Sequence, residues 1–120
     1  MSLRETYLRG IVAHSRWKWR LRNYVDGKSP ALDAALAEKD DGCELGRWLR
    51  GDAGQVLAPA LRGEVLEKHA AFHRAVADLV RLVQAGRHSE ARAALGCEGG
   101  YAAACSEFLE AVVRARDASR

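Results

Sequence analysis

No apolar run in this 120-residue chain approaches the eighteen or so residues that a membrane-spanning helix requires. Arg4, Glu5 and Arg9 interrupt the first ten residues, which excludes the apolar centre of a signal peptide. There are only three cysteines, an odd number at unpatterned positions, so an extracellular disulfide framework is not expected. A cytoplasmic protein in a thiol-reducing compartment fits these absences. Only two prolines are present, no segment alternates apolar and polar residues as a strand does, and no repeat of 20–50 residues recurs. A net charge of +3 and a pI near 9.0 are not concentrated into the stripe that phosphate backbones need. Neither nucleic acid nor membrane is expected as a partner.

What is present is a globular composition, 48% apolar and 29% charged, at a length that suits one domain over residues 1–120. Such a chain can build a hydrophobic core without metal or disulfide staples. Charge is uneven along it. Residues 1–30 carry seven basic and two acidic groups, residues 31–67 four and eight, and residues 68–120 eight and six. The basic excess therefore sits at the start.

Hydrophobic period makes the fold all-α. Leu3, Tyr7, Gly10, His14, Trp17, Leu21 and Tyr24 step by fours and threes, as on one face of a long helix. Leu8, Ile11 and Val25 are expected to widen that face toward the core. Gly27 and Ser29-Pro30 mark its end. A second face runs through Leu61, Val65, His69, Phe72, Val76, Leu79 and Val83, entered at Pro59 and left at Gly86. A third joins Tyr101, Cys105, Phe108, Val112 and Ala115. Short helices are expected at Leu32–Leu36, at Leu45–Arg50, and at Ser89–Leu95 with Ser89 as cap. The expected architecture is a four-helix-type bundle with additional short helices, residues 31–50 filling the fourth position.

Three of the four histidines lie on apolar faces. A buried imidazole needs hydrogen-bond partners for its ring nitrogens, and a satisfied core residue is the ordinary explanation for any one of them. His69 and His73 are different, because residues four apart lie about 40° round the helix and one turn along it. Both rings can reach one ion, and zinc commonly takes such pairs. A zincin protease would carry Glu directly after the first His as its base; here that position is Ala70. Cys43 stands in a turn ahead of a short helix, whose positive end favours thiolate; it is either a metal ligand or an incidental turn residue. His88 and Cys97 read as loop or boundary residues, and Cys105 as a small apolar side chain. His14, Cys43, His69 and His73 together offer three nitrogens and one sulfur, the donor set of tetrahedral zinc.

These residues resemble the chemoreceptor zinc-binding (CZB) family of bacteria. The resemblance rests on His14 with Trp17, on Cys43-Glu-Leu-Gly46-Arg-Trp48-Leu49, and on His69-Ala-Ala-Phe-His73. It extends over about residues 8–115, with 29 residues from His14 to Cys43 and 26 from Cys43 to His69. The Cys-centred element is its specific part. It implies a helical bundle holding one zinc through His14, Cys43, His69 and His73, with Gly46 and Trp48 as structural parts of the motif. It also implies a regulatory input to a chemoreceptor or diguanylate cyclase rather than an enzyme, answering to zinc or to oxidants such as hypochlorous acid, often within a homodimer. The residues present include neither a signalling coiled coil nor a cyclase domain, so the output is expected to lie elsewhere. Two other readings compete: a zinc enzyme with an open metal position, and a metal-free helical adaptor that binds acidic partners through the basic first helix.

Overall fold

The computed structural model describes residues 3–29, 32–39, 44–51, 57–96 and 99–118. Among these residues there are six helices and no strand: α1 (Leu3–Val25), α2 (Ala34–Glu38), α3 (Glu44–Arg50), α4 (Pro59–Gln84), α5 (His88–Leu95) and α6 (Gly100–Ala118). At 1.5 Å per residue α1 and α4 are about 35 and 39 Å long. They account for the 44 Å long axis of a molecule only 25 and 19 Å across its other directions. α4 packs against all five other helices, most extensively against α6 and α2.

The sequence pattern explains that centrality. Val65, His69, Phe72, His73, Val76, Ala77, Leu79 and Val80 are all buried, so α4 is apolar round a wider arc than a surface helix needs. Leu21, Tyr24 and Val25 close on it from α1, Leu49 from α3, Ala91 and Leu95 from α5, and Phe108, Ala111, Val112 and Ala115 from α6. Both long helices stop where expected. Gly27 and Gly86 adopt φ of 74° and 78°, a left-handed conformation that costs a residue with a Cβ about 1–2 kcal/mol. Beyond Gly86 the Arg87 amide donates to the Leu82 carbonyl, wrapping the end of α4.

Three local expectations are corrected. Leu8 is 48% exposed and does not face the core, because it lies well over 90° round the helix from His14 and Leu21. The short helix expected at Leu32–Leu36 instead runs from Ala34 to Glu38, with Ala34 and Ala37 facing inward and Leu36 64% exposed. Small side chains on the inner face let the α2 backbone approach α4 closely. The third concerns α5, which begins at His88 with Arg87 in the cap position, so Ser89 lies inside the helix. Arg87 pairs instead with Glu90 in the first turn.

Short helices need external ties, since an isolated turn or two is not stable in water. Asp33 caps α2 by accepting from the Ala35 and Leu36 amides at 2.9 and 3.2 Å. Arg81 of α4 pairs with Glu38 at 2.7 Å, and the Gln84 side chain donates to the Leu32 carbonyl at 3.1 Å. The end of α3 is held similarly, with Arg62 donating to the Leu49 and Arg50 carbonyls at 2.7 and 3.2 Å. These contacts set the segments flanking Cys43 against α4. Cys43 itself and Cys97 lie outside the described residues.

Candidate metal centre

His14 on α1 and His69 and His73 on α4 meet in the core, at 2%, 0% and 3% exposure. The helical spacing read from the sequence puts the α4 pair on one face, and α1 crosses so that His14 completes a triangle. Its corners are the three Nε2 atoms, 3.1 Å apart between His14 and His69, 3.3 Å between His14 and His73, and 3.2 Å between His69 and His73.

The opposite nitrogens define the protonation. Nδ1 of His14 donates to the Gly10 carbonyl at 2.6 Å, and Nδ1 of His73 donates to the Ala37 carbonyl at 2.8 Å. A carbonyl oxygen only accepts, so Nδ1 carries the proton in both rings. In the neutral form of each ring, Nε2 is then a lone pair pointing at its neighbours. Burial pushes His14 down to about 4, against the smaller upward pull of the Gly10 carbonyl. Burial, with His73, His14 and Arg50 nearby, pushes His69 down to about 3. Both rings are therefore neutral at physiological pH, the form in which imidazole binds metal.

Close lone pairs repel unless a proton or a metal ion lies between them. Tetrahedral zinc with Zn–N bonds of about 2.0–2.1 Å has its nitrogens about 3.3–3.4 Å apart. The observed edges of 3.1–3.3 Å match that spacing, so the residues present fit the ion. Among the described residues they form a cluster that could hold a metal ion. Hydrogen bonds from Nδ1 to main-chain oxygen also fix the ring orientation and raise the basicity of Nε2, as is usual round protein zinc.

Aromatic rings wall the cluster. Phe72 and Phe108 each lie 5.0 Å from His14 between ring centroids, and Phe108 lies 5.5 Å from His69. Both phenylalanines are fully buried and exclude water. Sequence reasoning did not assign these neighbours a role. Gly10 was detectable as the residue four before His14 on the same face, and Phe72 as the residue between the two ligand positions on α4. The Ala37 carbonyl had no sequence signal, since its contact spans 36 residues and every residue has a carbonyl.

Residues 14–80, more than half of the chain, match the family model described as the chemoreceptor zinc-binding domain. The chain belongs to this family. Its matched stretch starts at His14 and includes Cys43, His69 and His73, but is shorter than the 8–115 over which the motifs alone resemble it. No curated protein and no solved structure matches the chain. As a CZB domain it is a zinc-binding regulatory module of signalling proteins, not a member of a known enzyme family. Of the four ligand positions expected from sequence, the structure brings three together; the fourth, Cys43, falls outside the described residues. His88 is exposed, and no described helix is long and apolar enough to cross a membrane. Cys105 is half-buried, with its thiol pushed up by burial.

Proposed function

We propose that this CZB domain is a sensory input in which His14, His69 and His73 hold zinc and the Cys43 thiolate completes the set as the responsive ligand. The observation that carries this reading is the Nε2 triangle, whose edges suit tetrahedral zinc and in which main-chain carbonyls orient the His14 and His73 rings. When bound, zinc supplies positive charge that keeps a ligating thiol deprotonated. The three histidines are fixed in packed helices, whereas Cys43 directly precedes the seven-residue α3. α3 contacts both α1 and α4, the helices that carry the histidines, and so supports an approach of Cys43 to the cluster.

A sulfur ligand makes such a site sensitive to oxidants. Hypochlorous acid converts a thiolate to a sulfenic acid with release of chloride, RS⁻ + HOCl → RSOH + Cl⁻, a two-electron oxidation of sulfur. The product is a poorer ligand, and the segment 40–51 is then freed from the bundle, while loss of zinc itself frees the same segment. In this reading residues 1–120 act as one cytoplasmic domain that controls a chemoreceptor or diguanylate cyclase, in cis or in trans, with self-association as a homodimer. Four protein donors leave no open coordination position, which argues against a hydrolytic zinc enzyme.

Elemental analysis of untagged protein tests the ligand set. One zinc per chain is expected in the wild type. Cys43→Ala should keep its helical circular dichroism, lose zinc to a chromogenic chelator at least tenfold more readily, and release no further zinc on hypochlorous acid treatment. A Cys43→Ala protein that kept wild-type zinc retention and wild-type oxidant-triggered release would rule out Cys43 as the switch.

A further inference from the structure

α1 carries a second apolar stripe that the bundle does not use. Leu8, Val12 and Trp19 are 48%, 50% and 70% exposed, three of the five large apolar side chains exposed among the described residues. They lie roughly 120–160° round α1 from His14, so they point away from the core. With Ser15 between them they step by four, three and four over about 16 Å, the spacing by which one helix packs on another. A shallow groove of about 390 Å³ runs along Leu8, Arg9, Val12, Ala13 and Arg16.

The flanks of the stripe are basic. Arg9, Arg16 and Arg22 are exposed beside it, Lys18 and Arg20 follow further round, and Glu5 is the only acidic residue in the helix. Among the described residues neither Arg16 nor Arg22 forms an ion pair. A second copy of the chain is a poor occupant. Antiparallel pairing of α1 with itself, about an axis midway along the stripe, sets Arg9 of each copy close to Arg16 of the other. Like charges juxtaposed across an interface oppose association. A narrow row of three anchors on one helix also suits a partner helix better than a lipid surface, which calls for a broad apolar face.

We propose that the outer face of α1 docks an acidic amphipathic helix of a partner protein, with Leu8, Val12 and Trp19 as anchors and Arg16 and Arg22 selecting the charge of its flanks. The proposal does not depend on zinc, because these side chains lie away from the metal cluster. A homodimer of this domain, if formed, uses another surface.

Two synthetic amphipathic peptides of about three heptads, with leucine at the core positions and either Glu or Lys at the flanks, serve as probes in titration calorimetry. The wild-type domain should bind the Glu peptide about tenfold or more tightly than the Lys peptide. Trp19→Ser should weaken the Glu peptide about tenfold, as loss of an exposed aromatic anchor does. Arg16→Glu combined with Arg22→Glu should invert the preference. Zinc content should equal the wild type in every variant, so a failure here is separable from a failure of the zinc reading. The proposal is overturned if neither peptide binds or if the two bind equally. It is also overturned if Trp19→Ser leaves Glu-peptide binding intact, if sedimentation shows a dimer that this substitution dissociates, or if phosphatidylglycerol vesicles bind α1 in preference to the Glu peptide.

Discussion

Replacing His14 by leucine should separate metal binding from folding and move them in opposite directions. In the metal-free domain His14 contributes a buried lone pair at Nε2 that faces two other ring nitrogens at 3.1 and 3.3 Å. One proton on His69 Nε2 can satisfy only one of the His14 and His73 lone pairs, and leaving the other uncompensated costs about 1–3 kcal/mol. Leucine removes that cost and packs against Phe72 and Phe108, whose rings surround the position. It loses the Nδ1 bond to Gly10, worth about 1 kcal/mol, but that carbonyl keeps its helical bond from the amide four residues on. The net expectation is a gain of about 1–2 kcal/mol for the chelated protein at pH 7.5. Acid should widen the gap. Folded His14 takes up its proton only near 4, whereas the unfolded chain does so near 6.5. Between those values the unfolded state binds more protons, so the wild type loses stability as pH falls, and the His14→Leu variant is spared that loss. At pH 5.5 this adds about 1.4 kcal/mol to the difference. Urea unfolding in EDTA, followed by circular dichroism at pH 7.5 and 5.5, measures both numbers. Zinc affinity should fall at least about a hundredfold, since each ligand carries a share of an apparent binding energy of roughly 10–16 kcal/mol. A variant less stable than the wild type in EDTA, with a gap that does not grow on acidification, would refute the assignment of His14 as a neutral buried ligand.

Two further outcomes test the surroundings of the site. Phe108→Ala should cost about 3–5 kcal/mol in urea unfolding and increase water access to the cluster, which zinc exchange with a chelator reports as faster release. Arg62→Ala should remove the side chain that holds the last carbonyls of α3, costing about 1–2 kcal/mol. Amide exchange should then accelerate in α3 and not in α5; equal protection in wild type and variant would deny Arg62 this role.

The parts of this protein legible in its sequence are those governed by local periodicity. The faces of α4 and α6 follow from residues three and four apart, and so does the placing of His69 and His73 one turn from each other. Helix ends at Gly27 and Gly86 were legible because a left-handed residue favours glycine. The errors have a common cause. Leu8 was assigned to the core because it is apolar, yet a helix offers apolar side chains in directions that only its neighbours can use or leave exposed. Ser89 yielded the cap position to Arg87 because the turn after Gly86 is set by main-chain bonds back to α4, which no cap preference overrides.

By itself the sequence determined an all-α chain, its helix boundaries to within a residue or two, and the histidines that cluster in its core, since these depend on side-chain chemistry and the 3.6-residue turn. Only the tertiary structure decided that α1 crosses α4 where three Nε2 atoms lie 3.1–3.3 Å apart, and that a carbonyl of α2 orients one of the rings. It also decided that Leu8, Val12 and Trp19 face outward. Those outcomes depend on the angle and register at which whole helices pack, the summed effect of many weak contacts distant in sequence, and no local pattern encodes that sum.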